Sequence, residues 1–145
     1  MHALSTVTKV IVAFVALLML APLTFASDRT ASCGDGGKTE SFHSFFLRYT
    51  SDRQFAISRT VYPYRDVSES SELKTTRTRI TRDKETDQSL QEIAKREGMQ
   101  LKVTRAGKTR SEGRLFIPDA GFFVDFKFRL KNECWEMYET YTSAY

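Results

Sequence analysis

The strongest constraint on the fold is a strict alternation of apolar and charged residues late in the chain. The apolar positions are Val124, Phe126, Phe128 and Leu130, and the charged positions between them are Asp125, Lys127 and Arg129. A period of two residues is typical of a strand with one buried face. Lys131-Asn132 then reads as a turn, and residues 134–141 return as the hairpin partner. The chain therefore needs a sheet with one covered face, and an element to cover it.

An aromatic helix earlier in the chain is the predicted cover. Its apolar residues recur at i, i+3, i+4 and i+7, the period of one helix face, at Phe42, Phe45, Phe46 and Tyr49. Thr39 or Ser41 can cap its start, and Asp52 begins a second, short helix. The predicted core combines the two ends of the domain: Phe42, Phe45, Phe46, Tyr49, Phe55, Phe126, Phe128 and Trp135.

The middle of the chain is polar and is expected to contribute little to the core. Pro63 keeps Tyr62 extended. The remaining predicted elements are a loop over 67–72, a strand over 73–82, a helix over 89–97 ended by Gly98, strands over 101–105 and 114–117 with a turn over 106–113 between them, and a turn over 118–121. This order predicts an α+β domain over 39–145, with N-terminal helices packed on a strongly curved antiparallel sheet.

The first 26 residues have the pattern of a secretory signal peptide. Lys9 precedes an unbroken apolar run over 10–20, and Thr24 and Ala26 place small residues at the −3 and −1 positions of a cleavage site. The run is shorter than the roughly 18 apolar residues of a spanning helix, so no stable membrane anchor is expected. We expect cleavage after Ala26, a flexible polar leader over 27–38, and a periplasmic or secreted protein.

Composition excludes several classes of function. Two histidines are present, and His2 lies in the signal peptide, so His43 alone remains for a metal or acid–base site. The sequence has no Gly-rich phosphate loop, no G-x-S-x-G elbow and no H-E-x-x-H motif. Its formal net charge of +4 is spread along the chain and is weak for a nucleic-acid-binding protein. We therefore expect no metal, no cofactor and no nucleic-acid partner.

Two segments resemble a family of secreted bacterial proteins of unknown function. The family's opening runs as an aromatic helix, "Asp-x-x-Phe-Gln" and "Arg-x-x-Phe-Pro", and those positions hold Asp52, Phe55, Arg59 and Tyr62-Pro63, with Ala56 in place of the usual Gln. The stretch 124–138 looks like its closing hairpin, with "Asn-x-x-Trp" at the turn. The resemblance implies the cone-shaped, cystatin-like α+β fold of the nuclear transport factor 2-like superfamily: a bent sheet curled around N-terminal helices and enclosing a pocket.

Two sets of residues are candidates for a site in such a cone. His43 would act as a general base paired with Asp125, as in some enzymes of the superfamily. Alternatively, His43 is an exposed histidine on the helix flank and Asp125 is a surface carboxylate. Arg59, Tyr62 and Tyr64 would hold an anionic or carbonyl-bearing ligand through forked hydrogen bonds and ring contacts. Arg59 could equally form a structural ion pair with Asp52 or Glu136.

The most basic run in the chain is Arg77, Arg79, Arg82 and Lys84. On a strand, Arg77 and Arg79 share a face. A solvated edge protected from pairing is the favoured interpretation, and a groove for acidic partners is the alternative.

A disulfide between Cys33 and Cys134 is the other local prediction. An even cysteine count in a small exported domain favours pairing over two free thiols. It would fasten the glycine-rich leader to the last strand.

Three functions of different classes remain open. The preferred one is a non-catalytic periplasmic domain that binds a small ligand or a protein partner. The alternatives are a small isomerase- or dehydratase-like enzyme using His43 and Asp125, and an immunity-type inhibitor of a toxin in the periplasm. Scarce acid–base residues favour binding over catalysis, and pairing of two copies through the sheet is a further option.

Overall fold

Three helices and six strands are present in the computed structural model, which describes Cys33 and residues 38–72 and 74–144. The elements are α1 Phe42–Ser51, α2 Arg53–Ser58, β1 Thr60–Glu69, β2 Thr75–Ile80, α3 Leu90–Glu97, β3 Gln100–Ala106, β4 Arg110–Phe116, β5 Phe122–Lys131 and β6 Cys134–Ala144. A single 3-10 turn, Arg82–Lys84, follows β2. The predicted signal peptide over 1–26 and most of the leader over 27–38 lie outside the described residues. No helix in the described part of the chain is long and apolar enough to cross a membrane.

The six strands form one curled sheet in the order β2-β1-β6-β5-β4-β3. The α+β prediction is confirmed, with helices α1 and α2 preceding and covering the sheet. Four of the five strand pairings are antiparallel, as predicted, but β1 and β6 pair in parallel. β1 has its hairpin partner β2 on one side, and the last strand enters on its other side in the same direction.

The core is aromatic and centres on Phe128, whose side chain is fully buried. Its ring meets four others edge-on or nearly so, at centroid distances of 5.1–6.0 Å: Phe42, Phe45, Phe46 and Tyr49. Such tilted geometries place the positive ring edge against a negative ring face. Of the eight predicted core residues, seven are buried, and Phe55 packs against the cluster while partly exposed.

Gly113 lets α1 lie directly on the sheet. It is buried in β4 opposite Phe126, and a Cβ atom built there would lie 2.1 Å from the ring of Phe46. That distance is far inside van der Waals contact, so any larger residue would push the helix away. The glycine fixes how closely the aromatic face of α1 approaches the strands.

Strand β1 was not predicted as a strand, although Tyr62 was expected to be extended. We expected a loop over 67–72, but the strand continues to Glu69. Pro63 lies inside this strand, on the far side from the core, at a cis peptide bond after Tyr62. The β1–β6 register is irregular between Thr60 and Arg65. A residue without an N–H is tolerated there because no regular ladder bond is lost. The turn predicted over 106–113 is likewise shorter, since β4 begins at Arg110.

The caps predicted for α2 and α3 are confirmed, whereas Ser41 takes the N-cap position of α1 without a side-chain hydrogen bond. The last hairpin turn lies one residue later than the predicted Lys131-Asn132. Ser89 and Glu92 form a reciprocal capping box at α3, and Gly98 ends the helix with φ of 66°. Asp52 caps α2 by accepting from the Phe55 N–H at 2.9 Å. Asn132 and Glu133 both have positive φ, the geometry of a two-residue hairpin turn.

The segment before α1 is fastened to the start of β6. Cys33 and Cys134 are joined by a disulfide, as predicted. Seven residues further on, the Glu40 carboxylate accepts from the Trp135 backbone N–H at 3.1 Å, and the Trp135 indole N–H donates to the Glu40 carbonyl at 2.8 Å. The Glu40 N–H also donates to the Glu133 carbonyl at 3.3 Å. One covalent bond and three hydrogen bonds therefore hold this segment against the last hairpin.

Candidate functional site

The two faces of the sheet have different chemistry. We call the face that carries Phe126 and Phe128 the inner face, because α1 packs on it. The opposite, outer face carries the charged residues of β5, whose side chains alternate with the buried ones. Strand register extends this outer face into a row of residues directly opposite one another across five strands: Arg79, Arg65, Glu139, Lys127 and Glu112.

Glu139 is the negative centre of this row. Its carboxylate accepts from the Lys127 ammonium at 2.7 Å and also from Arg65, and the residue is only 4% exposed. Burial alone would raise the pKa of Glu139, but hydrogen bonds from Lys127 and Arg65 outweigh it and hold the pKa below its usual value. Glu139 is therefore a carboxylate at neutral pH, already satisfied by two cations.

Positive charge is left in excess at the β2 end of the row. Arg79 lies directly opposite Arg65, and like charges in that position destabilise a strand pair. Arg65 has Glu139 as its partner. In the part of the chain that the structure describes, the side chains of Arg77 and Arg79 have no hydrogen bond or ion pair.

These residues border a groove of about 440 Å³ on the outer face. It is lined by Val61, Pro63, Arg65, Arg77, Thr78, Arg79, Arg129, Tyr138 and Glu139. Arg129 pairs with Glu136 at 2.7 Å and lies 5.6 Å from the centre of the Tyr138 ring. The groove thus has four guanidinium groups, one satisfied carboxylate and an apolar floor, an arrangement suited to an anion with a hydrophobic part.

The structure does not bring His43 and Asp125 together. His43 is exposed on α1, over the inner face. Asp125 follows the outer-face alternation, and its two carboxylate oxygens accept from Arg114 at 2.6 and 2.8 Å. The sheet itself separates the two side chains, so the general-base pair considered from the sequence is not formed.

Arg59 has a structural role in the cone. Its guanidinium pairs with Glu40 at 3.0 Å, donates to the Trp135 carbonyl at 3.3 Å and lies over the ring of Phe55. The sequence anticipated an ion pair for this residue, but with Asp52 or Glu136 rather than Glu40. These contacts of Arg59 thus fasten the segment before α1.

Tyr62 and Tyr64 lie together on the inner face of β1, with ring centroids 6.0 Å apart. The Tyr62 hydroxyl bonds to Glu85 at 3.2 Å. Burial, reinforced by the nearby Glu85 carboxylate, raises the pKa of both hydroxyls above the usual range. Both tyrosines therefore stay neutral and can donate hydrogen bonds, but neither shares a described contact with Arg59.

A second groove, of about 420 Å³, lies beside the disulfide. Two of its charged side chains are already paired, Glu40 with Arg59 and Arg48 with Asp52 at 3.8 Å, and the third, Lys38, is exposed. Across the described ranges, no three histidine, cysteine or acidic residues group as metal ligands do.

Sequence reasoning identified part of the outer groove and missed the rest. The shared face of Arg77 and Arg79 followed from their spacing in a strand. Arg65, Arg129 and Tyr138 were missed because they come from three other strands, and only the register places them beside β2.

By sequence, the chain matches neither a known protein-family model nor a curated protein. Among solved structures, it is similar to a nuclear transport factor 2-like protein from Bacteroides fragilis, with 17% identity and a TM-score of 0.52 over 77% of this chain and 50% of the other. It is also similar to a protein from Bacteroides uniformis, with 19% identity and a TM-score of 0.50 over 73% of this chain and 78% of the other. The chain thus spans half the length of the first structure and about four fifths of the second.

Proposed function

We propose that this protein is an exported, non-catalytic binding domain with a nuclear transport factor 2-like fold. It binds an anionic group of a small molecule or protein partner in the outer-face groove. The observation that carries the proposal is the direct opposition of Arg65 and Arg79 beside the unpaired Arg77. An anion bound between these guanidinium groups would remove their mutual repulsion. The fold is shared with proteins of unknown function, so the argument rests on this groove and not on the fold.

The groove favours recognition over chemistry. Guanidinium groups remain protonated at any physiological pH and form forked hydrogen bonds to carboxylates and phosphates. The one carboxylate in the groove, Glu139, is held by two cations and has a lowered pKa, which makes it a poor base. Such a groove can hold and orient an anion but has no group ready to accept a proton.

Binding of a small multivalent anion tests the proposal. We expect citrate, titrated at about 20 mM NaCl where screening is weak, to bind saturably and shift the backbone amide signals of β1 and β2. Arg77→Gln/Arg79→Gln should weaken binding about tenfold, because charge-assisted hydrogen bonds are lost. Amide chemical shifts measured by NMR give both the affinity and the location.

The matched control removes the same charge elsewhere. Lys95 and Lys108 are exposed on α3 and on the β3–β4 turn. Lys95→Gln/Lys108→Gln should leave the citrate affinity unchanged within about twofold, the scale of a general charge effect. Equal weakening by both double variants, or no saturable binding at all, would contradict the proposed site.

Export has its own test. The signal-peptide pattern predicts that the protein recovered from outside the cytoplasm begins at Ser27 and has lost the two hydrogens of one disulfide. Intact-mass measurement before and after reduction checks both features in one sample. An N-terminus at Met1, or a lipid mass at Cys33, would be inconsistent with cleavage after Ala26.

A further inference from the structure

Strand β2 lies at one end of the sheet, and within residues 38–72 and 74–144 no strand pairs with its other edge, which we call the free edge. Residues Thr75 to Arg79 are exposed. In an antiparallel pair, backbone groups point alternately toward the partner and away from it. The Ser70 N–H donates to the Lys74 carbonyl at 3.2 Å, which sets the phase of this alternation.

From that bond, the pairs with mutual hydrogen bonds are Ser68 with Thr76, Asp66 with Thr78 and Tyr64 with Ile80. The backbone N–H and C=O groups of Arg77 and Arg79 therefore point to the free edge. Their side chains are on the outer face, beside the groove. Among the described residues, nothing pairs with the backbone donor, the backbone acceptor or the guanidinium group that each of these two arginines offers.

We propose that the ligand of this groove is an extended acidic peptide segment, which adds to the edge of β2 as an antiparallel strand with carboxylates at positions i and i+2. This inference rests on the proposed function, whose ligand class it names. In such a strand, residues directly opposite Arg77 and Arg79 have their side chains on the same face, with Cβ atoms about 5 Å apart. Each acidic residue would meet one arginine through its side chain and its backbone together.

A second copy of the chain fits this edge poorly. A two-fold antiparallel pairing centred on Thr78 would place Arg77 of one copy directly opposite Arg79 of the other. Two such like-charged contacts would be added to the existing opposition of Arg65 and Arg79. Charge therefore selects an acidic strand over self-association, and basic side chains on an edge strand are a known protection against it.

The test uses the purified chain and four fluorescently labelled peptides. The first is Thr-Val-Glu-Thr-Glu-Val-Thr-amide, with the label on its N-terminal amine and glutamates at i and i+2. The second has the same composition with adjacent glutamates, which places the two carboxylates on opposite faces of a strand. The third is the first peptide with both glutamate nitrogens methylated, and its control carries two methyl groups on the valine nitrogens instead.

We expect the first peptide to bind saturably, as measured by fluorescence polarisation. The adjacent-glutamate peptide should bind about tenfold more weakly, and so should the glutamate-methylated one, because it loses both hydrogen bonds to β2. The valine-methylated control should bind like the first peptide, since those N–H groups point away from β2. Arg77→Gln/Arg79→Gln should weaken the first peptide about tenfold or more, and Lys95→Gln/Lys108→Gln should not.

Two outcomes would overturn the inference, and they have different consequences for the proposed anion site. If all four peptides bound equally while citrate binding still depended on Arg77 and Arg79, the groove would bind anions but no peptide strand would add to β2. Absence of both peptide and citrate binding would remove the groove as a ligand site as well.

Discussion

Replacing Phe128 by alanine is expected to lower the free energy of unfolding by about 3–5 kcal/mol, the range for truncating a large buried aromatic residue. Its side chain is fully buried and touches four other rings, so the cavity would open in the middle of the core. A loss of this size is a large fraction of the stability of a small domain. Urea unfolding followed by the fluorescence of the buried Trp135 would measure it.

Leu47→Ala is the matched control for this prediction. Leu47 is on the same sheet-covering helix, α1, but is 54% exposed. Its truncation should change the free energy of unfolding by no more than about 0.5 kcal/mol. If Phe128→Ala proved as mild as Leu47→Ala, the aromatic face of α1 would not be packed on β5.

Removing the disulfide should have a comparable effect. Cys33 and Cys134 are separated by 101 residues in the sequence. For a loop of that length, the chain-entropy model assigns up to about 4.7 kcal/mol of stabilisation, through restriction of the unfolded chain. Cys33→Ser/Cys134→Ser should therefore unfold at a markedly lower urea concentration than the oxidised protein.

Reduction of the unmodified protein is the control. Dithiothreitol should shift its unfolding midpoint close to that of the double variant, and should leave the double variant itself unchanged. If the oxidised protein and the double variant unfolded at the same urea concentration, the bond would contribute no net stability.

The elements predicted well are those whose signal lies within a few neighbouring residues. The aromatic spacing of Phe42 to Tyr49 predicted α1, Gly98 predicted the end of α3, and the alternation before Asn132 predicted the last hairpin. Strand β1 was not predicted, because Pro63 and the serines near Val67 are locally typical of loops, and only Tyr62 was expected to be extended. Its strand conformation is stabilised by β2 and β6, which no local pattern can reveal.

The same distinction between local and long-range signals applies to the candidate site. The common face of Arg77 and Arg79 depends only on the period of a strand and was predictable. The opposition of Arg79 to Arg65 depends on the length of the β1–β2 turn, and the Arg59–Glu40 ion pair depends on how the segment before α1 returns to β6. Those contacts arise from tertiary packing, which local sequence patterns do not reveal. The prediction therefore kept a ligand role for Arg59 as one option and identified only part of the outer groove.

The position of β6 has a consequence for how the chain reaches its native state. This strand, Cys134–Ala144, is the last in sequence, yet it lies between β1 and β5 at the centre of the sheet. Until it is in place, the β1–β2 hairpin has no neighbour on its other side and the β3–β5 meander ends at an open edge. β6 is therefore the strand that joins the β1–β2 hairpin to the β3–β5 meander. Joining these two parts depends on contacts far apart in sequence, and folding of this kind is slow.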